Sequence, residues 1–479
     1  MILPSVEEFR SLLDRFPSVP VAKRLPLTRS PRALLEAAGW EAPAVLLESA
    51  RTHPVTGRFS ILAGAPETTL TARGWRPENP FAQITRWLAD RRAPQLPGFP
   101  PFVGGVIAAI GYDAYRYFGD PFRFDPSAST RSGLPDLAAA FFEEAAVVDH
   151  QEKVLWVIAL SRPGLAPEAA HREGIERVER LAARLAGEGP AAEPSAGPVA
   201  FEATHSRAAF REMVGLAQEA IAAGEIYQAN LSQRFTASWS GSPWALYNRL
   251  TGINPSPFAA FADFGSFQIV SASPERLLRA ADGWAQTRPI AGTRRRGRDA
   301  AEQTRLRQEL LLNEKERAEH LMLVDLERND LGRICRYGSV AVDELMGLEE
   351  YSHVTHIVSN VVGELREGVG LTEMVRALFP GGTITGCPKV RCLEIIEQLE
   401  PVRRGFYTGS LGYASASGPM DLNLLIRTAL VTAGRVEIQA GAGIVADSDP
   451  DREYEETLHK AQALQEALAA DPSRHAAVA

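Results

Sequence analysis

Cysteine is nearly missing from this chain, with three thiols in 479 residues. Cys335, Cys387 and Cys392 form no CxxC pair and are too few for a disulfide framework at this length, which points to a reducing compartment. No uninterrupted apolar stretch approaches the ~20 residues that a membrane-spanning helix requires. The opening residues, MILPSVEEFRSLLDRF, place Glu7, Glu8 and Arg10 where a signal peptide would carry an apolar core. A cytoplasmic protein with no membrane attachment is the expectation. Basic residues are also in deficit: 51 Lys and Arg stand against 59 Asp and Glu, a net charge of −8. That is the wrong sign for broad nucleic-acid binding, which needs clustered cations to displace counterions from phosphate. The one dense basic run, Arg294-Arg295-Arg296 with Arg298, reads as a solvated loop.

What is present suits an ordinary globular chain, 45% hydrophobic and 23% charged, long enough for two or three domains. A single composition break, AGEGPAAEPSAGPVA at 186–200, follows a stretch with Ile175, Val178, Leu181 and Leu185 at helical spacing. It divides an N-terminal region (1–185) from a C-terminal one (201–470), with a short tail at 471–479. Strand-like runs in the first region include AVLLESA, RFSILAG, FVGGVIAAIGY and KVLWVIAL. In the second they include ANLSQRF, FAAFADF, SFQIVSAS and LLIRTALVTA, the last joined to RVEIQAGAGIVA by a hairpin turn at Gly434. Helices are expected at 206–223, 299–328, 371–378, 388–399 and 450–470. Strands interleaved with helices, without strict βαβ alternation, predict an α+β fold with large antiparallel sheets flanked by helices.

Two of those helices carry paired carboxylates. Glu316 and Glu319 stand three residues apart on one face. Behind an Asp449-Pro450 start signal, Glu453, Glu456 and Lys460 share one stripe. Jointly the two helices could hold a hard cation such as Mg²⁺, which takes oxygen ligands and bridges to anionic substrates. On spacing alone, solvated surface charge is the commoner meaning of such pairs. Two glycine motifs suggest nucleotide sites and fail on detail. In Gly441-Ala-Gly443-Ile-Val-Ala446 the apolar run continues beyond the glycines instead of turning into a helix. Gly381-Gly-Thr-Ile-Thr-Gly386-Cys-Pro-Lys389 separates its last glycine from the lysine, unlike a phosphate-cradling loop. It reads better as a helix entry near a small anionic ligand.

The strings GEIYQANLSQRF, IVSASPERLL, RPIAGTRRRG, NEKERAEHLMLVDLERNDLGR, YSHVTHIVSNVVGEL, FPGGTITGCPKVRCLEIIEQLEPVRRGFYTGSLGY, MDLNLLIRT and QAGAGIVADSDPDREYEETLHKA run in order through residues 205–467. Together they resemble the chorismate-binding enzymes: anthranilate synthase component I, aminodeoxychorismate synthase component I, and the isochorismate and salicylate synthases. The resemblance implies an anthranilate synthase component I-like fold and a set of roles. Glu319 and Glu456 would ligate Mg²⁺, which bridges to the ring carboxylate of chorismate, and Glu316 and Glu453 would act beside them through water. Glu275 would be the general acid that protonates the leaving C4 hydroxyl, a task needing a carboxyl held well above its free value of about 4.3. Tyr407 and Arg427 would bind the pyruvyl carboxylate, and Lys460 would face a substrate carboxylate or the metal ligands. Gly441 and Gly443 would let backbone amides approach, while Thr293 and His356 would line the pocket.

Gln228, in YQAN, separates the branches. Water-adding members carry a lysine there as general base, whereas a neutral amide cannot deprotonate water and ammonia needs no such help. Amination is favoured. No cysteine sits in a nucleophile-elbow context, so ammonia would come from a separate glutamine amidotransferase subunit. YQANLSQRF, GGTITGCPK, MDLNLLIRT and ADSDPDREYEETLHKA look closer to aminodeoxychorismate synthases, implying 4-amino-4-deoxychorismate for p-aminobenzoate and folate synthesis. Ala291, where many of those enzymes carry a nucleophilic lysine, speaks for the alternative, anthranilate. So do NPSPF and YSHVTHIVS. Leu47-Glu48-Ser49 is similar to the tryptophan feedback site of anthranilate synthases, although Ala259 and Ala260 replace its usual bulky residue. A catalytically silent chorismate-binding regulatory subunit is the reading from another class, and the intact acidic set argues against it.

Overall fold

The computed structural model describes residues 2–51, 56–74, 76, 78–119, 133–189, 199–350 and 354–469. Most of the expected connector (190–198), the tail from 470 onward and the first three residues of YSHVTH lie outside the described residues. The architecture is α+β, with two large antiparallel sheets packed face to face and helices on both outer surfaces. Among the described residues the first sheet has 13 strands and the second has 10.

Three apolar layers result. Between the sheets, Val45, Ile61, Val147, Ile158 and Ile269 of the first meet Ile107, Ala109, Ala140 and Leu411 of the second. Outside the first sheet, Leu34, Val178, Leu181, Leu250 and Leu464 seat the helices Pro31–Ala38, Pro167–Leu185, Pro243–Ile253 and Pro450–Ala469. Outside the second, Ile84, Val324, Leu331 and Val375 seat Pro80–Asp90, Glu314–Gly332 and Leu371–Leu378, while Cys392, Ile395 and Ile396 of Lys389–Leu399 pack with Leu231 and Ala442 of the first sheet. Each aliphatic side chain so buried contributes about 1.5–3 kcal/mol.

The break in composition does not coincide with a break in the core. In the first sheet Ala44–Glu48 pairs with Phe258–Asp263, and in the second Gly105–Ile110 pairs with Ser410–Ser415. Hydrogen-bonded strands join the two regions that composition separates, so the chain on either side of the connector shares both sheets.

The local departures from expectation have visible causes. The predicted helix over 299–328 is two helices, Ala300–Leu312 and Glu314–Gly332. They break at Asn313, whose extended backbone (φ −70°, ψ 111°) lets its side chain accept from the Glu316 N–H at 3.0 Å. This is an N-cap embedded in good helix formers. The basic run is only partly loop, because Arg294 and Arg295 end the strand Ile290–Arg295. Its guanidinium groups are held by acids: Arg294 by Glu309 and Glu316, Arg295 and Arg298 by Glu302, and Arg296 by Glu350. The strand expected over LLIRTALVTA begins only at Thr428, because residues 424–427 carry the chain from one sheet to the other. The hairpin at Gly434 forms with Thr432 opposite Arg435.

Candidate active site

The candidate residues gather where the chain crosses between sheets. Gln268–Ser273 belongs to the first sheet and Arg276–Ala281 to the second, so Glu275 lies in the crossing. A second crossing, from Met420–Asn423 to Thr428–Thr432, runs beside it. The two are stitched by Leu424 N–H donating to Glu275 O at 3.0 Å and Ser273 Oγ donating to Leu424 O at 2.5 Å. Arg427 sits in the second crossing with a left-handed backbone (φ 50°). A non-glycine residue adopts that conformation at some cost, and such positions concentrate at functional sites.

Glu275 is 5% exposed. Burial pushes its carboxyl up to about 8, helped by the nearby charge of Glu327 and opposed by the Thr383 hydroxyl, the Ile290 N–H and Lys460. His356 is 3% exposed, with Nδ1 2.9 Å from Thr293 Oγ1 and 3.3 Å from Gly292 O. Burial, with the positive charges of Arg427 and Lys460, takes its imidazole down to about 3, so it is neutral at physiological pH. These shared electrostatic neighbours tie Glu275, His356, Arg427 and Lys460 into one locality.

The strand Arg435–Ile444 brings in the remaining groups. Lys460 Nζ donates to Gly441 O at 2.9 Å and pairs with Glu456 at 2.7 Å. A Cβ at Gly441 would stand 2.8 Å from the Tyr407 hydroxyl oxygen, and one at Gly443 would stand 2.5 Å from Gln228 Nε2. Any larger residue would displace both side chains, which is the physical reason for two glycines here. Gln228 opens the neighbouring strand, is 8% exposed, and has an Oε1 with no hydrogen-bond partner among the described residues. A buried amide oxygen without a protein partner is costly unless a ligand or water supplies the hydrogen bond.

The two carboxylate helices do converge. Burial raises Glu319 to about 7, and the charges of Glu316, Asp447 and Glu453 add to the effect. Burial also raises Glu453, with Glu456 adding to it. Lys315 on the first helix stands 3.9 Å from Glu319 and reaches Asp447, three residues before the second helix begins, at 3.1 Å. Glu316 is turned toward Arg294 at 2.8 Å. Among the described residues no three His, Cys, Asp or Glu side chains form a ready-made metal cage. The donor chemistry nevertheless suits Mg²⁺, which needs only one or two carboxylates beside water and substrate oxygens. The mutual repulsion that adds to burial in raising Glu319 is what a cation would relieve.

Ala291 lies on the strand Ile290–Arg295, opposite Ile357. Away from this locality, Leu47, Glu48, Ser49, Ala259 and Ala260 line a cavity of about 370 Å³. The Glu48 carboxylate is already engaged there, accepting from Tyr247 Oη at 2.6 Å and pairing with Arg32 at 3.0 Å.

Sequence reading missed three buried charges behind Glu275. Glu327 and Asp330 are 3% and 1% exposed, and Lys389 Nζ donates to Asp330 Oδ2 at 2.5 Å and to Leu378 O at 2.9 Å. Their signal was available. Both acids sit on the inward stripe of their helix with Leu323, Val324 and Leu331, where a surface carboxylate has no place. Asp447 and Lys315 were missed as well, lying between the two pairs that spacing picked out.

Comparison with known proteins adds the identity of the fold. The sequence matches the family described as chorismate binding enzyme over residues 42–466. It is 41% identical over 436 residues to aminodeoxychorismate synthase component 1 of Bacillus subtilis, covering 88% of this chain and 91% of that protein. It is 46% identical over 372 residues to anthranilate synthase component 1 of Thermus thermophilus, covering 78% and 79%. The crystal structure of anthranilate synthase component I from Streptococcus pneumoniae superimposes with a TM-score of 0.74 at 33% identity, over 87% of this chain and 94% of that one. The menaquinone-specific isochorismate synthase of Escherichia coli shares the fold, with a TM-score of 0.71 at 19% identity over 97% and 99%. The chain belongs to the chorismate-binding enzyme family and is of the aminodeoxychorismate and anthranilate synthase type.

Proposed function

We propose that this protein aminates chorismate at C4, giving 4-amino-4-deoxychorismate, with ammonia delivered by a separate glutamine amidotransferase subunit. The observation that carries the amination is Gln228, a neutral and buried amide whose Nε2 lies against Gly443 and whose Oε1 has no hydrogen-bond partner among the described residues. It can orient ammonia by hydrogen bonding but cannot take a proton from water. In this reading Glu275 gives its proton to the departing C4 hydroxyl, a role suited to a carboxyl raised to about 8. Tyr407 and Arg427 receive the pyruvyl carboxylate, and Lys460 meets the negative charge of the substrate from the side of the strand Arg435–Ile444. Thr293 and neutral His356 shape the wall and help exclude water. Glu319 and Glu456 would hold Mg²⁺, with Glu316 and Glu453 beside them. When bound, that ion supplies positive charge to grip the ring carboxylate and polarise the ring.

The need for a partner rests on the thiols. Burial raises Cys335 to about 11 and Cys392 to about 12 and raises Cys387 too, so none is a ready thiolate for glutamine hydrolysis. Amination at C4 rather than C2 rests on motif likeness and on the Bacillus subtilis relative. One observation favours the second reading, anthranilate formation: Ala291 offers no amine to block C2.

A product assay separates the two. Incubated with chorismate, Mg²⁺ and an ammonium salt, the protein should yield p-aminobenzoate only after an added aminodeoxychorismate lyase. Direct appearance of fluorescent anthranilate would establish the second reading instead. Gln228→Lys should slow ammonia-dependent chorismate consumption by roughly tenfold to a hundredfold and open some water addition, detected as a hydroxylated product by chromatography. An unaltered rate and product would place Gln228 outside the reacting centre.

A further inference from the structure

The strand Gln228–Ser238 turns Gln228, Asn230 and Ser232 to one face, since successive side chains alternate. Across the ladder, Gly443 stands opposite Asn230 and Gly441 opposite Ser232. The three polar side chains on that face fare differently. Ser232 Oγ donates to Glu400 Oε1 at 2.7 Å and accepts from Gln439 Nε2 at 2.8 Å. Gln228 Oε1 and Asn230 Oδ1 are buried atoms with no hydrogen-bond partner among the described residues. Gln228 has a place in the proposed reaction, and Asn230 has none.

The backbone of Asn230 is nevertheless fixed on both polar groups. Its N–H donates to Thr385 O at 2.9 Å, and its carbonyl accepts from the Arg404 guanidinium at 2.5 Å. Arg404 is buried, paired with Glu400 at 2.7 Å, and donates to Ile384 O at 2.8 Å. The same arginine fixes Tyr407, whose N–H donates to Arg404 O at 3.0 Å and whose ring centroid lies 5.7 Å from the guanidinium. A Cβ at Gly441 would stand 2.7 Å from Asn230 Oδ1 and 2.8 Å from the Tyr407 hydroxyl oxygen. An amide and a hydroxyl from distant parts of the chain thus meet over one glycine, both carried by Arg404.

We propose that Asn230 is a substrate-binding residue whose side-chain amide joins the Tyr407 hydroxyl over Gly441 to hold the pyruvyl carboxylate of chorismate. The proposal rests on the reading of Tyr407 as part of the pyruvyl site.

The chemistry of the pair favours an anion. A carboxylate offers about four acceptor positions, so the Arg427 guanidinium and the Tyr407 O–H leave room for a further donor. The last torsion of an asparagine is broad and roughly two-fold, and no protein partner holds the Asn230 Oδ1 in place, so the amide can turn an N–H toward the ligand. Ammonia is the other ligand an amide could take here. Gln228, with its Nε2 against Gly443, occupies that place in the proposed reaction, whereas Asn230 lies against Gly441 beside Tyr407.

The test separates the two ligands. KM is measured for chorismate and for ammonia with Mg²⁺ saturating, and inhibition is measured with a chorismate derivative esterified at the pyruvyl carboxylate. Asn230→Ala should raise KM for chorismate roughly tenfold, the worth of one hydrogen bond to a charged group. KM for ammonia, the melting temperature and inhibition by the ester should stay near wild type. An unchanged KM for chorismate, a rise confined to ammonia, or an equal loss for chorismate and ester each overturns the proposal. If Asn230→Ala does not fold, Asn230→Val, which keeps bulk on the strand without a hydrogen bond, is read by the same criteria. Tyr407→Phe distinguishes the underlying reading. An unchanged KM for chorismate in that variant removes both claims, whereas a raised one beside an unaffected Asn230 variant removes only this one.

Discussion

Glu319→Gln should abolish Mg²⁺-dependent turnover of chorismate while leaving the protein folded. Glu319 is half-buried on the helix Glu314–Gly332 and feels the negative charges of Glu316, Asp447 and Glu453. An amide there removes one charge from a crowded acidic locality. The apo-protein therefore loses repulsion, and its melting temperature should hold or rise slightly. A Mg²⁺ ligand set loses one of its few anionic oxygens. Changes to residues that merely orient ligands already cost metal sites roughly tenfold to a hundredfold, so loss of a ligand should exceed a hundredfold. Rates measured across a Mg²⁺ titration, with melting followed in parallel, decide the matter. Wild-type turnover in the variant would refute the metal assignment. Loss of both activity and melting temperature would show that Glu319 has a structural role instead.

Glu275→Gln should lower the ammonia-dependent rate by roughly 10²–10⁴, the usual worth of a positioned general acid. The pH dependence of the wild type tests the same role independently. An ordinary glutamate carboxyl, at about 4.3, would be almost wholly ionised at pH 7 and could donate little. Burial holds Glu275 up to about 8, so its acid form dominates at pH 7 and is lost as pH rises through 8. Activity should therefore fall on the alkaline side, and the fall should be governed by a group near 8. An amide at 275 with wild-type rates would end the assignment.

Much of this site is legible in the sequence, and the reason is chemical. Carboxylates at three-residue spacing, a capped helix start at Asp449-Pro450 and glycines inside a strand each leave a local signature. The helix start carries the expected cap, with Asp449 Oδ1 accepting from Asp451 and Arg452 N–H. Periodicity could not bring Glu319 to Glu453, since nothing local relates residues so far apart in the chain. Likeness to a known family supplied that link. The crossings at Glu275 and Arg427 were equally invisible, because a strand pattern such as LLIRTALVTA does not announce that its first half changes sheets. Glu327 and Asp330 were legible in principle, as acids on an apolar stripe. They were passed over beside the more familiar pairs.

The sharing of both sheets across the connector has a consequence for how the protein can be altered. None of the candidate site residues comes from residues 1–185, yet a fragment beginning at residue 201 would leave Phe258–Asp263 and Ser410–Ser415 as bare edges. It would also strip the inter-sheet layer of Val45 and Ile107. Unpaired edges of that kind recruit other chains, so such a truncation would aggregate rather than yield a minimal enzyme. Substitutions at Val45 or Ile107 would then register as lost activity, although neither residue is among those proposed to touch substrate.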